Sequence, residues 1–318
     1  MATTTSFRKL IKEGMAIDFL GKGRLALTLS AVVLLICILS LAIRGMNFGL
    51  DFTGGTVIEV GYPLPVEIPA IRAALQQAGF AEAQTQHFGT SSDVLIRIAP
   101  RPDSNSAEIS SQVLNALKAV EGGAQAEMRR VEFVGPQVGE ELVADGGLAM
   151  LLALLGILIY VTLRFEWRLA MGTNAATVHD VVFTIGIFSL LQLEFDLTVL
   201  AAVLAVIGYS VNDTVVVLDR IRENFRKMRR GTTQEVMNSS INETLSRTIM
   251  TSLTTLLAVI VLYFFGGPVM RGFSIAMIVG IVVGTYSSIY IASAGALELG
   301  LKREDLLTKV KDTADDRP

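Results

Sequence analysis

Charge is what this chain has little of. Only 18% of its 318 residues are Asp, Glu, Lys or Arg, where soluble globular domains carry about 25%. The shortfall argues against a soluble cytosolic enzyme and for a chain that spends much of its length in lipid. Cysteine is almost missing. Cys37 stands alone inside an apolar run, which excludes a disulfide framework within the chain and a cysteine-rich metal site. The two histidines, His87 and His179, lie too far apart in sequence for metal-ligand spacing. No nucleotide loop, metal cluster or activated nucleophile is present. An enzyme is therefore the reading with least support, and no catalytic site, cofactor, bound metal or nucleic-acid partner is expected.

Apolar residues make up 51% of the chain and mean hydropathy is +0.53, which excludes disorder. Six apolar runs, at 25–43, 146–163, 169–193, 197–218, 248–265 and 273–297, approach the roughly 20 residues that span a hydrocarbon core. The first is too long for a secretory signal core and no clear small-residue cleavage site follows it, so an uncleaved anchor is expected. The net charge of −3 says little. The placement of Lys and Arg says more. Residues 1–24 carry five, Arg164 and Arg168 follow the second span, six lie between Arg220 and Arg230, and residues 298–318 carry five. On the other side, 194–196 has none and 266–272 only Arg271. The positive-inside rule then puts both termini in the cytoplasm. The cytoplasmic parts are expected at 1–24, in a basic loop over 219–246, and in a tail over 298–318. The basic stretch also suits lipid headgroups.

One connection is long, 44–145, a domain's worth of chain on the outer side. Strands are predicted at 57–62, 83–88, 93–99 and 126–134, where apolar residues alternate. Helices are predicted at 67–80 and 107–120, where they recur every three or four residues. The order βαββαβ is the ferredoxin-like split motif. The expected fold is thus an α-helical membrane protein of six transmembrane helices with one extracytoplasmic α+β ferredoxin-like domain. That domain lacks a recognisable chemical site and reads as a binding or lever module.

Ionisable groups inside a span cost about 2.5–3.5 kcal/mol at its centre on one scale and are usually functional. Span three holds His179 and Asp180, span four Asn212 and Asp213, and span five opens on Arg247 with Thr251 one turn on. Asp213 lies 16 residues into its span and Arg247 18 residues from the same side, about 24 and 27 Å at the helical rise. They could face each other if spans four and five pack together. Arg247, Thr251 and Thr255 share a helix face. A structural reading stays open for each: Asp213 and Arg247 as a clamp between helices, Arg247 snorkelling to the interface, and His179 with Asp180 as a satisfied buried pair. In span six, Gly280 and Gly284 have the spacing that lets helices pack closely.

Two longer motifs add a likeness. Asp51-Phe52-Thr53-Gly54-Gly55-Thr56 follows the first span, and Gly208-Tyr209-Ser210-Val211-Asn212-Asp213 runs on to Asp219-Arg220-Ile221-Arg222-Glu223-Asn224. With Arg164-Phe165-Glu166-Trp167-Arg168, Val178-His179-Asp180, Arg247-Thr248 and Phe265-Gly266-Gly267-Pro268, the chain resembles the SecF family over about residues 44–303. The resemblance implies half of an RND-type transporter in the bacterial cytoplasmic (inner) membrane, with its outer domain periplasmic. SecD would supply the other half, the SecY/SecE/SecG channel, YajC and YidC would be partners, and the cargo would be unfolded exported polypeptide. The implied work is use of the proton motive force to complete protein export, with H+, or else Na+, as coupling ion. The family's intramembrane acid and arginine match Asp213 and Arg247. His179 and Asp180 match its sequence pattern without a clear relay role. Asp51, Gly54 and Gly55 are expected to form a hinge at the domain's root. Two other classes stay open: half of a small-molecule or lipid exporter, and a structural clamp of the channel without ion coupling.

Overall fold

The computed structural model describes residues 17–100, 106–120, 125–228, 230–267 and 269–306. The cations Arg8, Lys9, Lys12, Arg229, Lys309, Lys311 and Arg317, and Pro268 of the turn after span five, lie outside the described residues. Among the described residues, six helices are long and apolar enough to cross a membrane.

A 3-10 turn at Leu20–Lys22 leads into α1 (Gly23–Arg44). Strand β1 (Asn47–Phe48) and the one-turn helix α2 (Leu50–Thr53) lead into the outer domain. There β2 (Gly55–Gly61), α3 (Ile68–Gln77), β3 (Gln84–Phe88), β4 (Thr90–Ile98), α4 (Ser106–Lys118) and β5 (Glu127–Val134) follow in turn. The sheet order is β3-β4-β2-β5 with every neighbouring pair antiparallel. This is the split arrangement expected from the βαββαβ order. Alternation explains its core. Ile58, Val60, Val94, Ile96 and Ile98 point to one face of the sheet and meet Ile71 and Leu75 of α3 and Val113 and Leu117 of α4.

The membrane part continues with α5 (Pro136–Arg164), α6 (Trp167–Leu191), the short β6 (Glu194–Phe195), α7 (Leu197–Lys227), α8 (Thr233–Phe265) and α9 (Val269–Ser287). A π-helical segment at Ser288–Ser293 joins α9 to α10 (Ala294–Glu298), and α11 (Arg303–Leu306) ends the described chain. Two helices start well before the apolar runs that announce them. Pro136 opens α5 ahead of the expected residue 146, its fixed φ suiting the first helical position. Thr232 and Glu235 form a capping box that starts α8 ahead of 248. Most of the loop expected over 219–246 is therefore helix, at the end of α7 and the start of α8. At the far end, Arg168 Nη1 lies 2.5 Å from Asp305 Oδ2. The Lys302 amide and the Arg168 guanidinium hold the Asp305 carboxyl below the usual carboxylate range.

Helices α6 and α7, and α9 with the segment beyond it, form the interior, while α1, α5 and α8 leave most of their apolar surface uncovered. Small residues set the closest approach. A Cβ on Gly280 would lie 2.1 Å from Val206 Cγ2, and one on Gly284 3.0 Å from Ser210 Cβ, so the span-six glycines pack on α7. Replacing Gly280 with Leu is expected to force α9 off α7 at a cost of about 1–3 kcal/mol. Gly156→Leu is the control, because nothing lies within 4 Å of a Cβ there. Thermal unfolding in membranes, followed by loss of detergent-extractable protein, should separate the two variants; equal midpoints would refute this packing.

Candidate functional site

Helix α7 carries the central acid. It starts cleanly because Asp196 accepts from the Val199 amide at 2.8 Å and Asp51 accepts from the Leu197 amide at 3.0 Å. Its buried inward face includes Ser210, Asp213, Thr214 and Val217. Asp213 Oδ1 accepts a hydrogen bond from Thr248 of α8 at 2.7 Å. Its Oδ2 accepts from Ser288, at the start of the π segment, at 2.9 Å.

A second buried acid sits nearby on α6. Asp180 Oδ1 lies 2.9 Å from His179 Nδ1. Asp180 Oδ2 accepts from Ser210 of α7 and from Ser287 of α9, the latter at 2.6 Å. Both acids thus flank the seam between α7 and α9. A buried carboxylate is costly unless hydrogen bonds replace its water. Hydroxyls suit this task, since each can donate to a carboxylate or accept from a carboxylic acid. The arrangement can therefore hold either protonation state.

The direct pair expected between Asp213 and Arg247 is not formed. Asp213 is 7% exposed, whereas Arg247 is exposed, and among the described residues its guanidinium makes no hydrogen bond or ion pair. The depth matches, but the angle differs. Successive helical residues are turned by about 100°, so Thr248 takes the inward place and Arg247 faces out. Arg247 is nonetheless the chain neighbour of Thr248, which bonds Asp213. Asn212 is turned away by the same step and is exposed. Thr251 is exposed too, its hydroxyl bonded to the Arg247 and Thr248 carbonyls of its own helix at 3.1 and 3.0 Å. Arg247, Thr251 and Thr254 thus form a polar strip on the outside of α8.

His179 is buried, beside the rings of Phe183 and Tyr286 at 5.9 and 6.4 Å between centroids. Sequence alone does not single out Ser210, Thr248, Ser287 and Ser288 as the carboxylate partners. The available signal was hydroxyl residues repeated in otherwise apolar spans.

The root of the outer domain is packed. Gly54 has φ +65° and Gly55 φ +117°. A Cβ on Gly55 would lie 2.4 Å from the Ile98 carbonyl oxygen, and one on Gly54 3.1 Å from Pro136 Cα. The glycines serve close approach here, and Asp51 is clamped to α7. Beside them β1 pairs in parallel with β6, Asn47 to Glu194 and Phe48 to Phe195. Arg97 of β4 pairs with Glu194, and its Nη1 donates to the Phe48 carbonyl at 3.3 Å. A cleft of about 390 Å³ separates the sheet from the helix ends, lined in part by Glu59, Arg97, Arg130, Glu132 and Glu194. Among the described residues there is no cluster of three or more His, Cys, Asp or Glu that could hold a metal.

Residues 112–302 match the family described as protein export membrane protein SecD/SecF, C-terminal, and residues 39–62 match the SecD/SecF GG motif. The chain is 50% identical over 300 residues to the protein translocase subunit SecF of Vibrio alginolyticus, covering 94% of this chain and 95% of that one. It is 50% identical over 309 residues to the same subunit of Pseudomonas aeruginosa, covering 97% and 99%. Among solved structures it is similar to SecDF, a translocon-associated membrane protein from Thermus thermophilus, with a TM-score of 0.79 and 38% identity. That likeness covers 89% of this chain but 38% of the Thermus chain.

Proposed function

The chain belongs to the SecD/SecF family of protein-export membrane proteins, and on that premise we propose that it is the SecF-type half of an ion-driven export unit. As a multi-pass protein of the inner membrane it pairs with SecD. The pair works beside the SecY/SecE/SecG channel, with YajC and YidC as further partners, on unfolded polypeptide leaving the cell. Both termini lie in the cytoplasm and the outer domain in the periplasm. One observation carries the reading: a buried acid next to an outward polar strip on α8. An arginine facing lipid is unfavourable, so Arg247, at the head of the strip it forms with Thr251 and Thr254, calls for a second membrane half against it. SecD supplies that half and a route for the coupling ion.

The ion is H+, with Na+ as the alternative. In the charged state, Asp213 takes hydrogen bonds from Thr248 and Ser288. Protonation removes the charge to which Thr248 of α8 and Ser288 donate, and so alters what joins α7 to its neighbours. One charge crossing 100 mV supplies about 2.3 kcal/mol, enough to bias two packings that differ by a similar amount. The motion reaches the outer domain through Asp51, which is bonded to the start of α7.

The test is export of a secretory precursor into inverted inner-membrane vesicles containing this chain and SecD. An uncoupler is added once the ATP-driven stage has passed. Export is expected to stall. Export that continues unchanged would favour the structural clamp, and loss of SecD from the purified complex would remove the two-half reading.

A further inference from the structure

Coupling through Asp213 alone leaves Asp180 without a task, although it is fully buried and held by residues of two other helices. We propose that Asp180 is a second ion-coupling acid, joined to Asp213 through the adjacent hydroxyls of Ser287 and Ser288. The proposal rests on the assignment of Asp213 to ion coupling.

Each of these serines has one hydroxyl hydrogen and two acceptors within reach. Ser287 Oγ lies 2.6 Å from Asp180 Oδ2 and 3.1 Å from the Gly284 carbonyl oxygen. Ser288 Oγ lies 2.9 Å from Asp213 Oδ2 and 3.0 Å from the Thr285 carbonyl oxygen. While the acid is charged, the hydroxyl donates to it. When the carboxylate takes a proton from water, its new O–H donates to the serine oxygen. The serine hydrogen then turns to the carbonyl three residues back. No other bond to hydrogen is made or broken. Ser287 and Ser288 are thus two-position switches, one for each acid.

Their placement ties the switches together. They are consecutive residues, and so are their alternative acceptors, Gly284 and Thr285. The backbone leaves α-helical geometry at Ser288, and the Ser293 hydroxyl donates to the Ser288 carbonyl at 3.1 Å. Such π segments recur at functional sites. Ser210 adds a second bridge, since it bonds Asp180 and sits one turn before Asp213 on α7. A change at either acid therefore acts on the same turn of chain. Among the described residues, the titratable groups nearest the pair are His179 on α6 and Tyr286 on α9, with Arg247 on α8 next to Thr248 in the chain. From α1, Cys37 lies against Gly186, further along α6. Span two brings only Tyr160 between residues 146 and 161, and it is exposed. Ser287 and Ser288 are positioning residues in this scheme.

The experiment is infrared difference spectroscopy of the full chain with SecD in membranes, titrated with acid. The Asp213 signal is the protonated-carboxyl band lost in Asp213→Asn. Ser287→Ala removes a hydroxyl that bonds Asp180 and not Asp213. It is expected to move the midpoint of the Asp213 band by about one pH unit. Asp180→Asn should move it likewise, and the double variant should shift it by less than the two shifts added. Ser287→Cys keeps the side-chain shape with a weaker S–H donor and should give a smaller shift in the same sense, which settles the matter if the alanine variant does not assemble. An Asp213 band unmoved by Ser287→Ala or Ser287→Cys and by Asp180→Asn would overturn the link. Should Asp213→Asn remove no band at all, the premise itself fails and the link falls with it.

Discussion

Asp213→Asn is expected to leave the chain folded and paired with SecD while its ion-driven export falls more than tenfold, the scale set by one charge in a 100 mV potential. The substitution is nearly isosteric. The new amide oxygen can accept from Thr248, and its NH2 can donate to Ser288 Oγ, whose own hydrogen is free to turn to the Thr285 carbonyl. Packing and hydrogen bonding therefore persist, and only charge and titration are lost. Stability should change by no more than about 1 kcal/mol. The measurement is the initial rate of precursor maturation with and without an uncoupler, normalised to complex recovered from the membrane. A variant that kept its full uncoupler sensitivity would take Asp213 out of the mechanism.

Gly55→Ala should do the opposite, damaging the fold before the chemistry. At φ +117° the backbone is strained for any residue with a side chain. The added Cβ would also meet the Ile98 carbonyl at 2.4 Å. That oxygen cannot retreat without disturbing the pairing of Thr56 with Ile98, which holds β2 to β4. A loss of about 3 kcal/mol or more is expected. The comparison is Gly79→Ala, with φ +86° and nothing within 4 Å of its Cβ, where strain alone should cost about 1 kcal/mol. Limited proteolysis of the outer domain in intact membranes reads both. Equal resistance of the two variants would show that the root of the domain is not packed as described.

The same contrast between position along a helix and direction around it marks what sequence could reveal. Lipid imposes a length of about 20 apolar residues, so all six spans were legible. Alternation at β2 and β4 exposed the split topology of the outer domain. Residue counting placed Asp213 level with the start of span five. Which residue of that turn it meets depends on rotation, and one step separates inward Thr248 from outward Arg247. Hydropathy also hid the starts of α5 and α8, because polar turns from Pro136 and Thr233 extend each helix beyond its apolar part. The β1–β6 pair is two residues long on each side, too short to leave any periodic trace. The hydroxyl partners of the two acids escaped notice because serine and threonine in a span also serve close packing.

Asp51 has a further consequence. Its carboxylate grips the first amide of the helix that carries Asp213, and the intervening stretch of α7 is unbroken. A continuous helix resists compression along its axis, so the stretch of α7 from Leu197 to Asp213 can transmit a shift as a push-rod would, with the acid at its inner end and the collar at the domain's root at the other. A slip of the rod by a single residue, about 1.5 Å, would be delivered to that collar undiminished.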